Sequence, residues 1–332
     1  MSERISLADG NGGRFMRELI EEVFLAAFGE AAPDASADAA ILPAEAGALA
    51  MTTDGFTVQP LEFPGGDLGS LAVHGTVNDL AVSGAEPRYL TLSALLEEGL
   101  ERAVLTRLVR SFAAAAKASG ARLVAGDTKV VPRGEGGGAY FSVAGLGVVK
   151  RPGLDLYAVR PGDAVLVSGS VGDHGVAVML ARQDFDLKGS VASDSAPVLA
   201  LCRALWPLAG LRFLRDPTRG GLATVAHEVA SGAGVRIRLF EDRIPLKPEA
   251  VGVCEILGYD PLYLASEGRA VAIVAAEEAE AALSRWRALP EGAGAAIIGH
   301  VEEGAPRVVL ETAIGGERLL EELEDDPLPR IC

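Results

Sequence analysis

The chain has 332 residues, enough for two domains, and 49% of them are apolar, enough for a sizeable core in each. Its formal net charge of -16 excludes a nucleic-acid surface, which needs clustered Lys and Arg, and disfavours anionic membranes. No apolar run reaches the about 18 residues of a spanning helix, and "MSERISLADG" holds no apolar signal core, so the expected location is cytoplasmic.

"RFMRELIEEVFLAAF" (14–28) repeats apolar residues at helical spacing and stops at Gly29. Residues 31–50 are rich in Ala and Pro and read as a loop or weak helix. "ALAMTTDGFTV" (48–58) reads as a strand broken by an Asp-Gly turn, and "LGSLAVHGTVNDLAVSG" (68–84) as a mostly apolar helix. "PRYLTLSALLE" is a predicted strand, "ERAVLTRLVRSFAAAAKASG" a long helix closed by glycine, and "ARLVAGD" and "AYFSVAGLGVV" two further strands. Two Pro-Gly pairs then punctuate the chain and set a domain boundary near residue 155.

The second half predicts the strand "DAVLVSG", helices near 174–182 and 194–208, the strand "GLRFLRD", and "PTRGGLATVAHEVASGAG" as a loop entering a helix. "VRIRLF" alternates like a half-exposed strand, "RAVAIVA" reads as a buried strand, and "EEAEAALSRWRAL" as a helix. "GAAIIGHVEE" and "PRVVLE" close the domain. The mixture predicts layered α/β or α+β packing, with an N-terminal domain at 1–155, a C-terminal domain at 156–323 and a flexible tail at 324–332. Pro327 and Pro329 favour an extended tail.

Several familiar chemistries are missing. Cys202, Cys254 and Cys332 share no CxxC spacing; the first two sit in helix-like apolar stretches and read as core, whereas Cys332 ends the sequence and is expected to be exposed. His74, His174, His227 and His300 show no zinc spacing. Neither a GxSxG elbow nor a GxxxxGK[ST] loop is present. What remains is carboxylate. Asp54, Asp79, Asp127 and Asp216 fall at expected strand ends, in an apolar helix face or beside glycine. Any one of them alone reads as a turn or helix cap, but four such oxygen donors together suit Mg²⁺ held with substrate phosphates. "DGNGGRFM" (9–16) and "DPTRGGLATV" (216–225), with Gly220 and Gly221, run into helices whose first N–H groups can meet a phosphate. Glu267 in "LASEGRAV" reads equally as a solvated turn residue or as a base in an apolar setting.

The ordered set "FPGG", "GTVNDLAVSGAEPRYL", "LEEGL", "GDTKVV", "SGSVGDHG", "RDPTRGG", "GVCEILG", "SEG" and the final "PRIC" resembles the HypE family of hydrogenase maturation proteins, within the AIR synthase-like superfamily. The resemblance implies a two-domain AIR synthase-like fold whose N-terminal mixed sheet pairs in a homodimer and closes a barrel between subunits. It implies ATP and Mg²⁺ in the cleft between the domains. Asp54, Asp79, Asp127 and Asp216 match the acidic positions that hold Mg²⁺–ATP, and Asn78 and Lys129 match positions near the phosphates and the reacting group. Glu267 matches the position of the base, and Cys332 the thiol that receives a carbamoyl group from the partner HypF. The implied activity is ATP-dependent dehydration of that S-carbamoyl group to a thiocyanate, whose cyanide passes to iron on the HypC–HypD complex of [NiFe] hydrogenase maturation. Phosphotransfer to a small substrate, which would ignore the tail, and non-catalytic nucleotide binding are the alternatives. One departure is Asp9 and Asn11, where the family carries His and Ser in a glycine loop.

Overall fold

The computed structural model describes residues 3–11, 13–35, 37, 39–182, 191–324, 328, 331 and 332. The first helical stretch joins α1 (Gly13–Leu19) and α2 (Ala26–Phe28) through a π-helical turn, Ile20–Leu25, and burial of Leu19, Val23 and Phe24 fixes its inner face. Among the described residues, no regular element follows Ala31 until β1.

A four-stranded sheet comes next. Its strands are β1 (Leu49–Phe56), β4 (Ala85–Glu97), β5 (Arg122–Val131) and β6 (Ala139–Val149), in the order β1-β6-β4-β5. A short hairpin, β2 (Glu62–Phe63) and β3 (Gly66–Asp67), leads into α3 (Leu68–Val82), which Asp67 caps by accepting the Ser70 N–H at 2.9 Å. α3 is apolar nearly all round because it is buried on several sides, by the sheet and by α4 (Arg102–Ser119). A Cβ on Gly69 would stand 1.9 Å from the Leu108 carbonyl oxygen, so only glycine permits the α3–α4 approach. α4 buries Leu105, Leu108, Val109 and Phe112 on one face and ends at Gly120 with φ +75°.

A seven-stranded sheet forms from the second half. Its strands are β7 (Ala164–Val167), β8 (Leu211–Arg215), β9 (Arg236–Phe240), β10 (Val271–Val274), β11 (Ala296–Glu302), β12 (Arg307–Glu311) and β13 (Glu317–Leu320), ordered β13-β12-β9-β11-β7-β10-β8. α5 (Asp173–Ala181), α6 (Leu199–Leu205), α7 (Gly221–Ala233), α8 (Pro248–Leu257) and α9 (Ala279–Arg287) complete the fold. β7 and β10 are buried along their whole length, in keeping with their unbroken apolar runs. Cys202 and Cys254 are buried as expected. No helix among the described residues is long and apolar enough to cross a membrane.

The structure departs from expectation at four places that matter for the site. β1 is one continuous strand: Asp54 and Gly55 stay in register opposite Val143 and Ser142, because the ladder with β6 outweighs the local Asp-Gly turn preference. β5 continues past Asp127 to Val131, so Asp127 lies mid-strand opposite Ser93 rather than at a strand's carboxyl end. α6 begins at Leu199 rather than near 194, since Pro197 biases the residue before it away from helix. Pro327 and Pro329 lie outside the described residues, but Leu328 and Ile331 are buried and Cys332 is half-buried, so the end of the sequence is packed rather than exposed.

Candidate active site

α3 forms the wall between the two sheets, and two adjacent residues on it face different partners. Asp79 accepts the Thr52 hydroxyl at 2.7 Å and lines a cleft of about 360 Å³ with Asp54, Asp216, Thr218 and Arg219. Asn78 is fully buried and spends its amide on main chain. Its Nδ2 donates to the carbonyl oxygens of Ala196 at 3.1 Å and Glu267 at 3.2 Å, and its Oδ1 accepts the Val198 N–H at 2.8 Å. Asn78 therefore positions the Glu267 loop, and its amide is committed away from any phosphate.

Asp216 follows β8 and is 5% exposed. Burial first, then the neighbouring carboxylate of Asp79, push its carboxyl up to about 7. Burial and Asp79 likewise raise Asp54, opposed by the Gly55 N–H and by Arg219, whose guanidinium stands 3.9 Å away. The cleft thus gathers three carboxyls, with Arg215 and Arg219 also on its lining. Those carboxyls fit a divalent cation, and Asp54, Asp79 and Asp216 would hold it. Among the described residues, no group of three or more His, Cys, Asp or Glu side chains is arranged to hold a metal ion by itself. The fit to Mg²⁺ therefore rests on one or two of these carboxylates acting together with phosphate oxygens and water. Gly220 and Gly221 take φ values of +70° and +60° at the start of α7. A Cβ on Gly221 would meet the Leu262 and Leu264 carbonyl oxygens at 2.6 Å, so the glycines let the α7 N-terminus seat against the 262–267 loop.

Asp127 and Lys129 are not in this cleft. They sit on one face of the edge strand β5, paired at 2.9 Å and each more than half exposed. β5 lies three strand spacings from β1, about 14 Å across the sheet. Within one chain, Asp127 does not meet the ion that Asp54 would hold. Asp9 does not face the cleft either. It accepts the Ser6 N–H and hydroxyl and pairs with Arg102 at 3.1 Å, while Gly10 packs on Val130 of β5. It caps its own turn.

Glu267 is 1% exposed and its Oε1 has no hydrogen-bond partner. Burial holds its carboxyl well above the usual range, helped by Asp216, Asp194, Asp54 and Asp79. It is a buried carboxyl rather than a solvated turn residue. Its main-chain N–H donates to Asp194 Oδ1 at 3.1 Å, and Asp194 in turn faces Arg269 at 3.4 Å. Sequence reasoning missed Asp194, although "SDSAP" places a carboxylate between two serines beside a proline. Cys332 is packed against the N-terminal domain: its main-chain oxygen accepts the Thr57 N–H at 3.0 Å.

Comparison with known proteins places this arrangement. Residues 36–149 match the N-terminal domain of AIR synthase related proteins and residues 160–311 their C-terminal domain. The carbamoyl dehydratase HypE of Rhodobacter capsulatus is 50% identical over 99% of this chain and 98% of its own. The chain belongs to the HypE family. A crystal structure of the hydrogenase maturation protein HypE in complex with ATP superposes with a TM-score of 0.93 at 44% identity, covering 98% of this chain and 99% of that one. HypE in a HypE–HypF complex matches at 0.79 and 42%, over 93% and 99%. The HypE fold, two AIR synthase-type domains, is the one described above.

The cleft chemistry predicts a pH dependence. The folded state binds the Asp216 proton more tightly than the unfolded chain, whose carboxyl titrates near 3.8. The stability this contributes is fully present below that value and lost as pH rises through about 7. Calorimetry from pH 4 to 8 without nucleotide is expected to show the melting temperature falling over this window, and Asp216→Asn to flatten the fall. An equal slope in the variant would remove Asp216 as its source.

Proposed function

We propose that this protein is an ATP-dependent carbamoyl dehydratase whose substrate is its own S-carbamoylated Cys332. The observation that carries the reading is Glu267, a buried carboxyl whose Oε1 has no hydrogen-bond partner among the described residues, in a HypE fold whose Cys332 is packed against the body of the protein through Thr57. Loss of water from a thiocarbamate must remove the carbonyl oxygen and two N–H protons. ATP with Mg²⁺ would supply the phosphoryl group that turns that oxygen into leaving phosphate. The products are then Cys332 thiocyanate, ADP and phosphate, with the two protons released.

The chain's own residues do the rest. Asp54, Asp79 and Asp216 present oxygens to the cation, and the start of α7 presents N–H groups to phosphate. Once the carboxylate charge of the cleft is neutralised, Glu267 ionises more readily and takes a proton from the carbamoyl nitrogen. Asn78 and Asp194 hold its main chain in place. Partners follow from the same reading: HypF as carbamoyl donor and an iron-carrying HypC–HypD complex as cyanide acceptor.

A homodimer supports the assignment of Lys129 and Asp127. Both outer strands of the N-terminal sheet, β1 and β5, have an open edge. Joining β5 of one copy to β1 of another closes an eight-stranded barrel and leaves no edge. Asp54 lies level with Val143, Leu92 and Gly126 across the sheet. Such closure brings β5 of a second copy next to β1, and the assignment of Lys129 to the developing phosphate charge requires that it come from that copy.

Intact mass tests the chemistry. After carbamoylation by HypF, a carbamoyl adduct on Cys332 is expected to lose one water only with Mg²⁺–ATP, and Cys332→Ala to carry no adduct. An adduct that persists with Mg²⁺–ATP, or one that forms equally on the Ala variant, overturns the reading.

A further inference from the structure

Residues 331 and 332 are held through their main-chain oxygens. The Cys332 main-chain oxygen accepts the Thr57 N–H at 3.0 Å and its hydroxyl at 3.2 Å. The Ile331 oxygen accepts from His174 Nε2 at 2.7 Å. Because that oxygen only accepts, Nε2 carries the proton. Nδ1 is then the acceptor, and the Ser193 hydroxyl stands 2.8 Å from it, free to donate. The Ser195 N–H fills the Ser193 hydroxyl's acceptor side at 3.0 Å. Each link fixes the next, so the imidazole presents one tautomer to the tail. The ring is also held in place by an edge-on contact with Phe63 at 5.4 Å.

The Ile331 side chain anchors the same contact. It is 3% exposed and joins the apolar cluster of Phe56, Phe63, Val176, Leu264 and Ala265. Asp194, next to Ser193, accepts the Glu267 N–H. One short segment, Ser193–Asp194, therefore touches the tail's latch through one residue and the base's loop through the next.

We propose that His174 is a positioning residue which, with Thr57 and the Ile331 pocket, docks the tail so that the Cys332 thiol faces Glu267. The consequence of docking for turnover rests on the dehydratase reading above; docking itself does not. Burial pushes the His174 imidazole down to about 4, which keeps it neutral and in the donor tautomer at physiological pH.

The test is the alkylation rate of Cys332 by iodoacetamide, read by peptide mass, in the full-length protein. Wild type is compared with His174→Phe, His174→Gln and Ile331→Asp. His174→Phe removes the donor and is expected to speed alkylation roughly three- to tenfold, the worth of one buried hydrogen bond. His174→Gln restores an N–H donor and is expected to stay within about twofold of wild type. Ile331→Asp removes the apolar anchor, and roughly tenfold acceleration or more is expected, with circular dichroism checking that the domain stays folded. Unchanged rates in His174→Phe and Ile331→Asp would overturn the docking site. Equal acceleration in Phe and Gln variants would overturn the donor role of His174. If docking is right and the dehydratase reading wrong, the alkylation pattern still appears while the S-carbamoyl wild type loses no water with Mg²⁺–ATP.

Discussion

Glu267→Gln is expected to abolish ATP-dependent loss of water from S-carbamoyl Cys332, by about 10²- to 10⁴-fold, the usual worth of a positioned general base. The same substitution is expected to raise the melting temperature. Glutamine keeps the side chain's volume but cannot ionise, and Glu267 sits fully buried among Asp54, Asp79, Asp194 and Asp216 with an unpartnered Oε1. A carboxyl held there against burial and like charge is strain kept for function, so its removal relieves the fold while ending the chemistry. Single-turnover intact-mass kinetics and a thermal scan at pH 7.5 check both halves. Water loss at the wild-type rate would move the base elsewhere. A lower melting temperature would make the carboxyl structural.

Much of this site is legible in the sequence, for a physical reason. Asp54, Asp79 and Asp216 interrupt apolar or glycine-rich settings, where an unpaired charge is costly unless a ligand uses it, and the structure places all three around one cleft. For Glu267 the sequence left a solvated turn residue and a buried carboxyl equally open, and the structure buries it. Residue type alone could not separate Asn78 from Asp79. They are neighbours on α3, yet one side chain faces main chain and the other the cleft, and only the helix's rotation against the 196–198 segment decides which. Asp127 was misplaced along its strand because the apolar run ends before it, whereas the ladder with β4 carries β5 on to Val131. Asp194 escaped notice, and His174 was named only for lacking zinc spacing, because their hydrogen bonds to main chain leave no spacing pattern to read.

Two inactive variants are expected to restore one another. Lys129→Ala and Glu267→Gln, each inactive alone, are co-expressed with different tags, and the mixture is assayed for Mg²⁺–ATP-dependent water loss. In a barrel-closed dimer, Lys129 serves the cleft of the other copy. The mixed dimer then owns one intact site, formed by Glu267 of the first variant and Lys129 of the second. Random pairing makes half of all dimers mixed, and each has one working site of two, so about one quarter of wild-type activity returns. If Lys129 instead served its own chain's cleft, every site in the mixture would lack one group and nothing would return. The geometry favours exchange. Asp127 and Lys129 lie on the edge strand β5, about 14 Å across the sheet from β1, the strand that carries Asp54. Their exposed ion pair adds little stability, so its place on that edge is better explained by a neighbour than by the fold.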